Sequence, residues 1–216
     1  MPEPPESQLP ETTEETPGRA SLTRRTVLGL SALFTLVLTL VSWGVTAWLQ
    51  DRSFGSLLLQ GRPPGVQLLY GLAVGLGVSV VTTWVGLRVA FLEKLRRIIR
   101  EVLEEVRPRT GDLLIVSVGA GWGEELFFRG VLQGYVGIWW AALAFALLHG
   151  LVVRLSWGGL LLTAYVFAAG VGLGFLCEHV GLLAAMSAHA AYDFVSLCGY
   201  VYDWRRAGGG QSPRLE

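Results

Sequence analysis

Apolar residues fall into long unbroken runs, not an alternating pattern. Six runs stand out, at 27–49, 66–92, 113–133, 135–153, 157–177 and 181–202. Each is near the roughly 20 residues that a helix rising about 1.5 Å per residue needs to cross about 30 Å of hydrocarbon. Backbone N–H and C=O groups in lipid must find partners within the segment, so the runs predict helices. The linkers after residue 130 are very short, which predicts antiparallel hairpin neighbours. Between the second and third runs the period changes. Leu95, Ile98, Ile99, Val102, Leu103 and Val106 fall at i, i+3, i+4, i+7, i+8 and i+11 within the loop 93–112. That is one apolar stripe on an otherwise charged helix, the pattern of a helix lying in the membrane interface with its apolar face down. It reads first as a connector, and alternatively as a substrate-contacting or gating element. The predicted fold class is therefore all-α: a polytopic membrane helix bundle of about six transmembrane helices plus one interfacial amphipathic helix.

Composition agrees. Hydrophobic residues make up 52% of the chain and charged residues 16%, well below the roughly 25% of an ordinary soluble domain. Seventeen basic and seventeen acidic residues balance to +0, so there is no basic excess to bind nucleic acid. Cys177 and Cys198 both lie in apolar runs, which argues against a disulfide framework.

The basic residues give an orientation. Arg19, Arg24 and Arg25 precede the first run. Lys94, Arg96, Arg97, Arg100, Arg107 and Arg109 lie between the second and third, Arg154 between the fourth and fifth, and Arg205, Arg206 and Arg214 after the sixth. The opposite side carries only Arg52 and Arg62. By the positive-inside rule this predicts both termini in the cytoplasm, with a bacterial inner membrane as the expected location. Residues 1–22 hold Glu3, Glu6, Glu11, Glu14, Glu15 and five prolines, and are expected to form a disordered acidic tail. Residues 23–206 are the expected transmembrane domain, with a core at 113–202, and 207–216 a flexible tail. Ser21 to Leu28 resembles a twin-arginine export signal, but the apolar run that follows is long enough to span and is expected to be retained.

Ionisable side chains inside such runs are costly, about 2.5–3.5 kcal/mol each near the bilayer centre, and mark functional sites. The third run holds Glu124, Glu125 and Arg129. Glu125 and Arg129 stand at i and i+4 with the glutamate first, the favourable order for a helix ion pair. Glu124 points about 100° away and needs a partner from another helix. His149 lies on the fourth run. His189 and Asp193 share one face of the sixth. Counting from the cytoplasmic ends places Glu124 and Asp193 about 14–17 Å deep, His189 about 20 Å deep and His149 about 6 Å deep. All four are expected to line one cavity in the cytoplasmic half. A glutamate, two histidines and an aspartate from three helices are the components of a water-activating site. Phe145 and the pair Trp139 and Trp140 read as packing or interface aromatics, His179 as interfacial, and Arg88 as a residue that snorkels. Gly71, Gly75, Gly119, Gly121, Gly123, Gly170, Gly172 and Gly174 would let helices approach closely.

Three motifs occur in order on successive runs: Glu124-Glu125-Leu-Phe-Phe-Arg129 (EExxxR), Phe145-Ala-Leu-Leu-His149 (FxxxH) and His189-Ala-Ala-Tyr-Asp193 (HxxxD). Over about 90 residues, 113–202, the chain resembles the CPBP family of intramembrane proteases. That family includes the type II CAAX prenyl endopeptidases and bacteriocin-processing or self-immunity proteins. The resemblance implies an endopeptidase whose site lies inside the membrane and opens to the cytoplasm. It implies that Glu124 activates water with His149 as its partner, that His189 and Asp193 form a second polar pair, and that Glu125 and Arg129 support the site. The implied partners are membrane lipids and a peptide or protein substrate reaching the membrane, lipidated in one precedent.

The family has been described both as metalloproteases and as metal-independent glutamate proteases. The cofactor expectation stays at none or zinc. In the metal-free reading positions 189 and 193 donate hydrogen bonds to the oxyanion. Asparagine could do so, whereas an ionised Asp193 only accepts. In the metal reading Glu124, His149, His189 and Asp193 are the candidate ligands. A third reading is loss of activity. A proton-coupled transporter and a non-catalytic membrane adaptor built on the same cluster are the rival classes.

Overall fold

The structure, a computed structural model, describes residues 22–49, 53–88, 93–150 and 157–209. Apart from Leu22 and residues 207–209, the expected tails fall outside these residues, as do Arg52 and Arg154. The elements are α1 (Arg24–Trp48), α2 (Phe54–Leu58), α3 (Pro64–Arg88), α4 (Glu93–Val106), α5 (Thr110–Glu125), a wide π-helical turn (Leu126–Leu132), α6 (Gln133–Gly150), α7 (Trp157–His179) and α8 (Leu182–Arg206). The chain is a helical membrane bundle, as its apolar runs require.

Among the described residues five helical stretches are long and apolar enough to cross a membrane, and one of them, Thr110–His149, is 40 residues long. That stretch holds two of the six expected spans, because it folds back on itself. Gly137 has φ +79° and ψ 170°, a conformation open to glycine and strained for other residues. Beyond it the chain reverses. The Phe128 and Phe145 ring centroids are 5.0 Å apart, whereas 17 residues of straight helix would separate them by about 25 Å. The turn therefore sits at Gly137, later than the break at residue 134 that the apolar runs suggested. Two glycines, Gly134 and Gly137, offered a turn, and no local pattern distinguishes them.

α8 is the centre of the bundle, packed chiefly against α3 and α5. The close approach depends on absent side chains. A Cβ on Gly71 would lie 2.2 Å from the Ala184 carbonyl oxygen, and one on Gly75 would lie 2.3 Å from that of Ala188. α3 thus lays its glycine face directly on the α8 backbone. Gln67, fully buried near the start of α3, fixes the register at one end. Its Nε2 donates to the carbonyls of Gln60 (2.9 Å) and Arg62 (2.7 Å), and its Oε1 accepts from the Leu183 N–H at 2.9 Å. That last bond satisfies a first-turn donor of α8 that has no intrahelical acceptor. α1 is joined to α5 by Trp122 Nε1–H donating to Thr39 Oγ1 at 3.1 Å and by Arg24 Nη2 donating to Asp112 Oδ1 at 2.8 Å.

The amphipathic helix forms as α4, but its apolar stripe divides. Leu103 and Val106 are buried, and Ile99 and Leu103 pack with Leu113, Val201 and Trp204, where α5 begins and α8 ends. Ile98 and Val102 stay exposed. The expectation of a stripe facing wholly down is corrected. α4 is docked onto the bundle, and the 2.8 Å ion pair from Arg100 Nη2 to Asp203 Oδ2 holds it there. The short α2 had no periodic signal, being too brief to show one.

Candidate active site

α5 delivers Glu124 and Glu125 at its last two positions, immediately before the π-helical turn that carries Arg129. A π turn is wider than an α turn and recurs at functional sites. Its extra residue keeps i and i+4 nearly in line. Arg129 Nη1 donates to Glu125 Oε1 at 2.8 Å with both side chains almost completely buried. Its other arm, Nη2, donates to the Gly170 carbonyl of α7 at 3.0 Å. The guanidinium also lies 4.5 Å from the centroid of the Phe145 ring, a cation–π contact in a water-poor interior.

The expected scaffold pair is therefore real, but it is not closed. His189 Nδ1 lies 2.7 Å from the same Glu125 Oε1. A carboxylate can only accept, so Nδ1 carries the hydrogen and Nε2 faces the other way. Nε2 stands 3.4 Å from Asp193 Oδ2, one turn along α8. Glu125 thus holds Arg129 from its own segment and His189 from α8 together. Local spacing shows the first partner and cannot show the second, which lies 64 residues away.

Glu124 meets His149. His149 Nε2 is 3.6 Å from Glu124 Oε2, and His149 Nδ1 is anchored 2.8 Å from the Phe145 carbonyl. The anchor places the hydrogen on Nδ1 and turns Nε2 toward the glutamate. At 3.6 Å the pair is just beyond hydrogen-bond length, the slack often seen before substrate tightens an acid–base pair. The depth assigned to His149 is corrected. It does not lie about 10 Å shallower than Glu124. Glu124 is 13 residues before Gly137 and His149 is 12 after it, so the hairpin brings them to one level. α6 ends beside the site, at Gly150, while α5 extends a further fourteen residues back from Glu124, to Thr110.

A cavity of about 410 Å³ opens beside this cluster, walled by α3, α6, α7 and α8. His149, His189 and Asp193 face it, together with Phe145, Tyr165 and Tyr192. Glu124 is not on the wall. Its side chain is 12% exposed and stands against His149, which is 41% exposed. Three of the four expected residues line the cavity, and the fourth adjoins through its partner. The two tyrosines were not anticipated, although Tyr192 lies inside the HxxxD motif. Phe145 is buried, and its ring centroid is 4.3 Å from that of His149, consistent with a packing role. Trp139 and Trp140 are exposed just beyond the Gly137 turn, and His179 is exposed at the end of α7.

His149 and His189 each have Nδ1 engaged, by a backbone carbonyl and by Glu125, which leaves Nε2 as the atom that could ligate a metal. Among the described residues no group of three or more His, Cys, Asp and Glu side chains converges closely enough to hold a metal ion.

Residues 107–195 match the family described as type II CAAX prenyl endopeptidase Rce1-like. The match covers 89 of the 216 residues, and the likeness is one of this segment. It spans α5, the π turn, α6, α7 and α8 as far as Val195, and so every member of the cluster. The chain is also similar to a curated relative, the uncharacterized protein YpbD of Bacillus subtilis (strain 168), with 37% identity over 87 residues. That match covers 40% of this chain and 44% of YpbD, so less than half of the relative's length is spanned. No solved structure matches the chain.

Proposed function

We propose that the protein is an intramembrane endopeptidase in which Glu124 and His149 activate water against a peptide carbonyl held in the cavity. One observation carries this reading. Glu124 and His149, on the two arms of a hairpin, meet at 3.6 Å beside the His189–Asp193 pair, within a segment of protease family. In the proposed step Glu124 takes a proton as the water oxygen bonds to the carbonyl carbon. The carbonyl electron pair moves onto oxygen, and His149 stabilises the protonated glutamate through Nε2. The tetrahedral species then collapses. The C–N bond breaks and the proton passes from the pair to the leaving amine. Glu125 fixes the His189 ring, whose Nε2 is turned to Asp193. The substrate is a peptide segment that reaches the membrane, with a lipidated chain as one class, and the site opens toward the cytoplasm. No step requires a metal.

Quantitative peptidomics of membranes holding wild-type or Glu124→Gln protein at equal abundance tests this. Cleavage products present with the wild type and absent with the variant are expected. Identical peptide sets would overturn the proposal.

A further inference from the structure

An oxyanion forming in this cavity needs hydrogen-bond donors, and Asp193 as a carboxylate supplies none. His189 gives its Nδ1 hydrogen to Glu125 and turns Nε2 to Asp193 Oδ2, 3.4 Å away, so it offers no hydrogen to the cavity. The same wall carries two phenols. Tyr165 of α7 donates to Tyr192 of α8, Oη to Oη, at 2.7 Å. A hydroxyl has one hydrogen to give, and that of Tyr165 is used in this bond. Tyr192 therefore keeps its own, and among the described residues no other hydrogen bond to Tyr192 is formed. A hydroxyl that accepts a hydrogen bond is polarised and becomes a better donor. Tyr192 lies three residues after His189 and directly before Asp193, half-buried, on the wall that also holds His149 and His189.

We infer that Tyr192 is a catalytic residue that donates its phenolic hydrogen to the carbonyl oxygen of the scissile bond, with Tyr165 as the positioning residue that orients and polarises it. The inference rests on the protease reading above. It assigns to Tyr192 the donor role that Asp193 cannot fill as an anion. No proton changes owner. The hydrogen bond shortens as charge grows on the oxygen and relaxes as the tetrahedral species collapses.

The experiment compares membranes holding equal amounts of six full-length proteins: wild type, Glu124→Gln, Tyr192→Phe, Tyr165→Phe, Asp193→Asn, and Tyr192→Phe combined with Asp193→Asn. The readout is the rate of appearance of Glu124-dependent peptides, with thermal unfolding of each purified protein in detergent alongside. Tyr192→Phe is expected to slow those peptides about 10²-fold, the usual effect of removing one oxyanion donor, with unfolding unchanged. Tyr165→Phe, which leaves the Tyr192 hydroxyl in place, should slow them only about threefold. In the Asp193→Asn background the amide supplies a donor, so the effect of Tyr192→Phe should shrink to about threefold. A purely structural link between α7 and α8 would not show that rescue. Full rates with Tyr192→Phe overturn the inference and leave the protease reading standing. Equal losses in both backgrounds, or a loss accompanied by earlier unfolding, overturn it as well. If no peptide depends on Glu124, the protease reading fails and takes this inference with it.

Discussion

His189 of α8 gives its Nδ1 hydrogen to Glu125 of α5 at 2.7 Å, on the same oxygen that receives Arg129. One carboxylate therefore joins the first motif to the third. Glu125→Gln should leave Arg129 buried without a counter-charge and loosen His189 at once. Breaking a buried pair from one side costs about 3–5 kcal/mol. Thermal unfolding in detergent should show a clear loss of stability with turnover falling in parallel. A Glu125→Gln protein as stable as the wild type would refute the scaffold role.

Glu124 should behave in the opposite way. Among the described residues its ionisable neighbour within pairing distance is His149, at 3.6 Å, and no other ion pair to Glu124 is formed. Glu124→Gln should unfold at the wild-type temperature and lose turnover by about 10²-fold or more. Parallel melting curves and product rates separate the two glutamates. Matched loss of both properties in both variants would show that they form one structural unit.

How much of this was legible beforehand follows from what hydrophobic pattern encodes. Run length and arginine placement suffice for helix number and for antiparallel neighbours. Helices that are apolar all round, such as α6 and α7, carry no periodicity to say which face packs. Only the small residues hint at it, and Gly71 and Gly75 did mark the α3–α8 contact. Motif spacing singled out Glu124, Glu125, Arg129, His149, His189 and Asp193 as candidates, and the structure brings them near one another. Spacing could not show that Glu125 reaches His189, because the two are joined only by packing. The position of the hairpin turn rested on one positive φ at Gly137, and the depth of His149 followed from that turn. The π turn has no composition signature. Tyr165 and Tyr192 resemble any interfacial tyrosine until α7 is seen to face α8.

The glycine face of α3 gives a stability test independent of the chemistry. A methyl group on Gly71 would press on the Ala184 carbonyl at 2.2 Å, whereas one on Gly77 meets nothing within 4 Å. Gly71→Ala should therefore destabilise by about 1–3 kcal/mol as α3 is pushed off α8. Gly77→Ala should be neutral or stabilising by up to about 1 kcal/mol, since alanine is the better helix former. Unfolding of the two variants in one detergent gives the comparison. Equal behaviour would mean that α3 and α8 are not in backbone contact.

Both termini and α4 are proposed to lie on the cytoplasmic side, where the arginine clusters place them. Glu101 is exposed on α4. A single cysteine at that position, in a chain with Cys177 and Cys198 replaced by alanine, should react with a membrane-impermeant thiol reagent only after the cells are opened. Labelling in intact cells would invert the topology and move the mouth of the site to the other face.

The water-activating pair and the metal question can be examined in one titration. A base that must be ionised and an acid that must be protonated give a rate that rises and then falls with pH. Glu124 and His149 stand 3.6 Å apart and act on one proton, so the profile is read for the pair and for neither residue alone. Removing either side chain should cost nearly as much as removing both, since they act as a unit. Among the described residues no group of three or more His, Cys, Asp and Glu side chains converges to hold a metal ion, so the expected outcome is chemistry carried by side chains alone. Purified protein dialysed against a strong chelator should keep both its rate and its bell-shaped profile. Loss of turnover on chelation, restored by stoichiometric zinc, would reassign Glu124, His149, His189 and Asp193 as ligands. Ligands of one tetrahedral zinc stand about 3.3 Å apart, close to the 3.4 and 3.6 Å within each histidine–carboxylate pair, so it is the two pairs that would have to draw together. Asp193→Asn separates the same alternatives a second way. It should weaken a metal site by removing a charged ligand, and in the metal-free site it should add an N–H donor for the oxyanion.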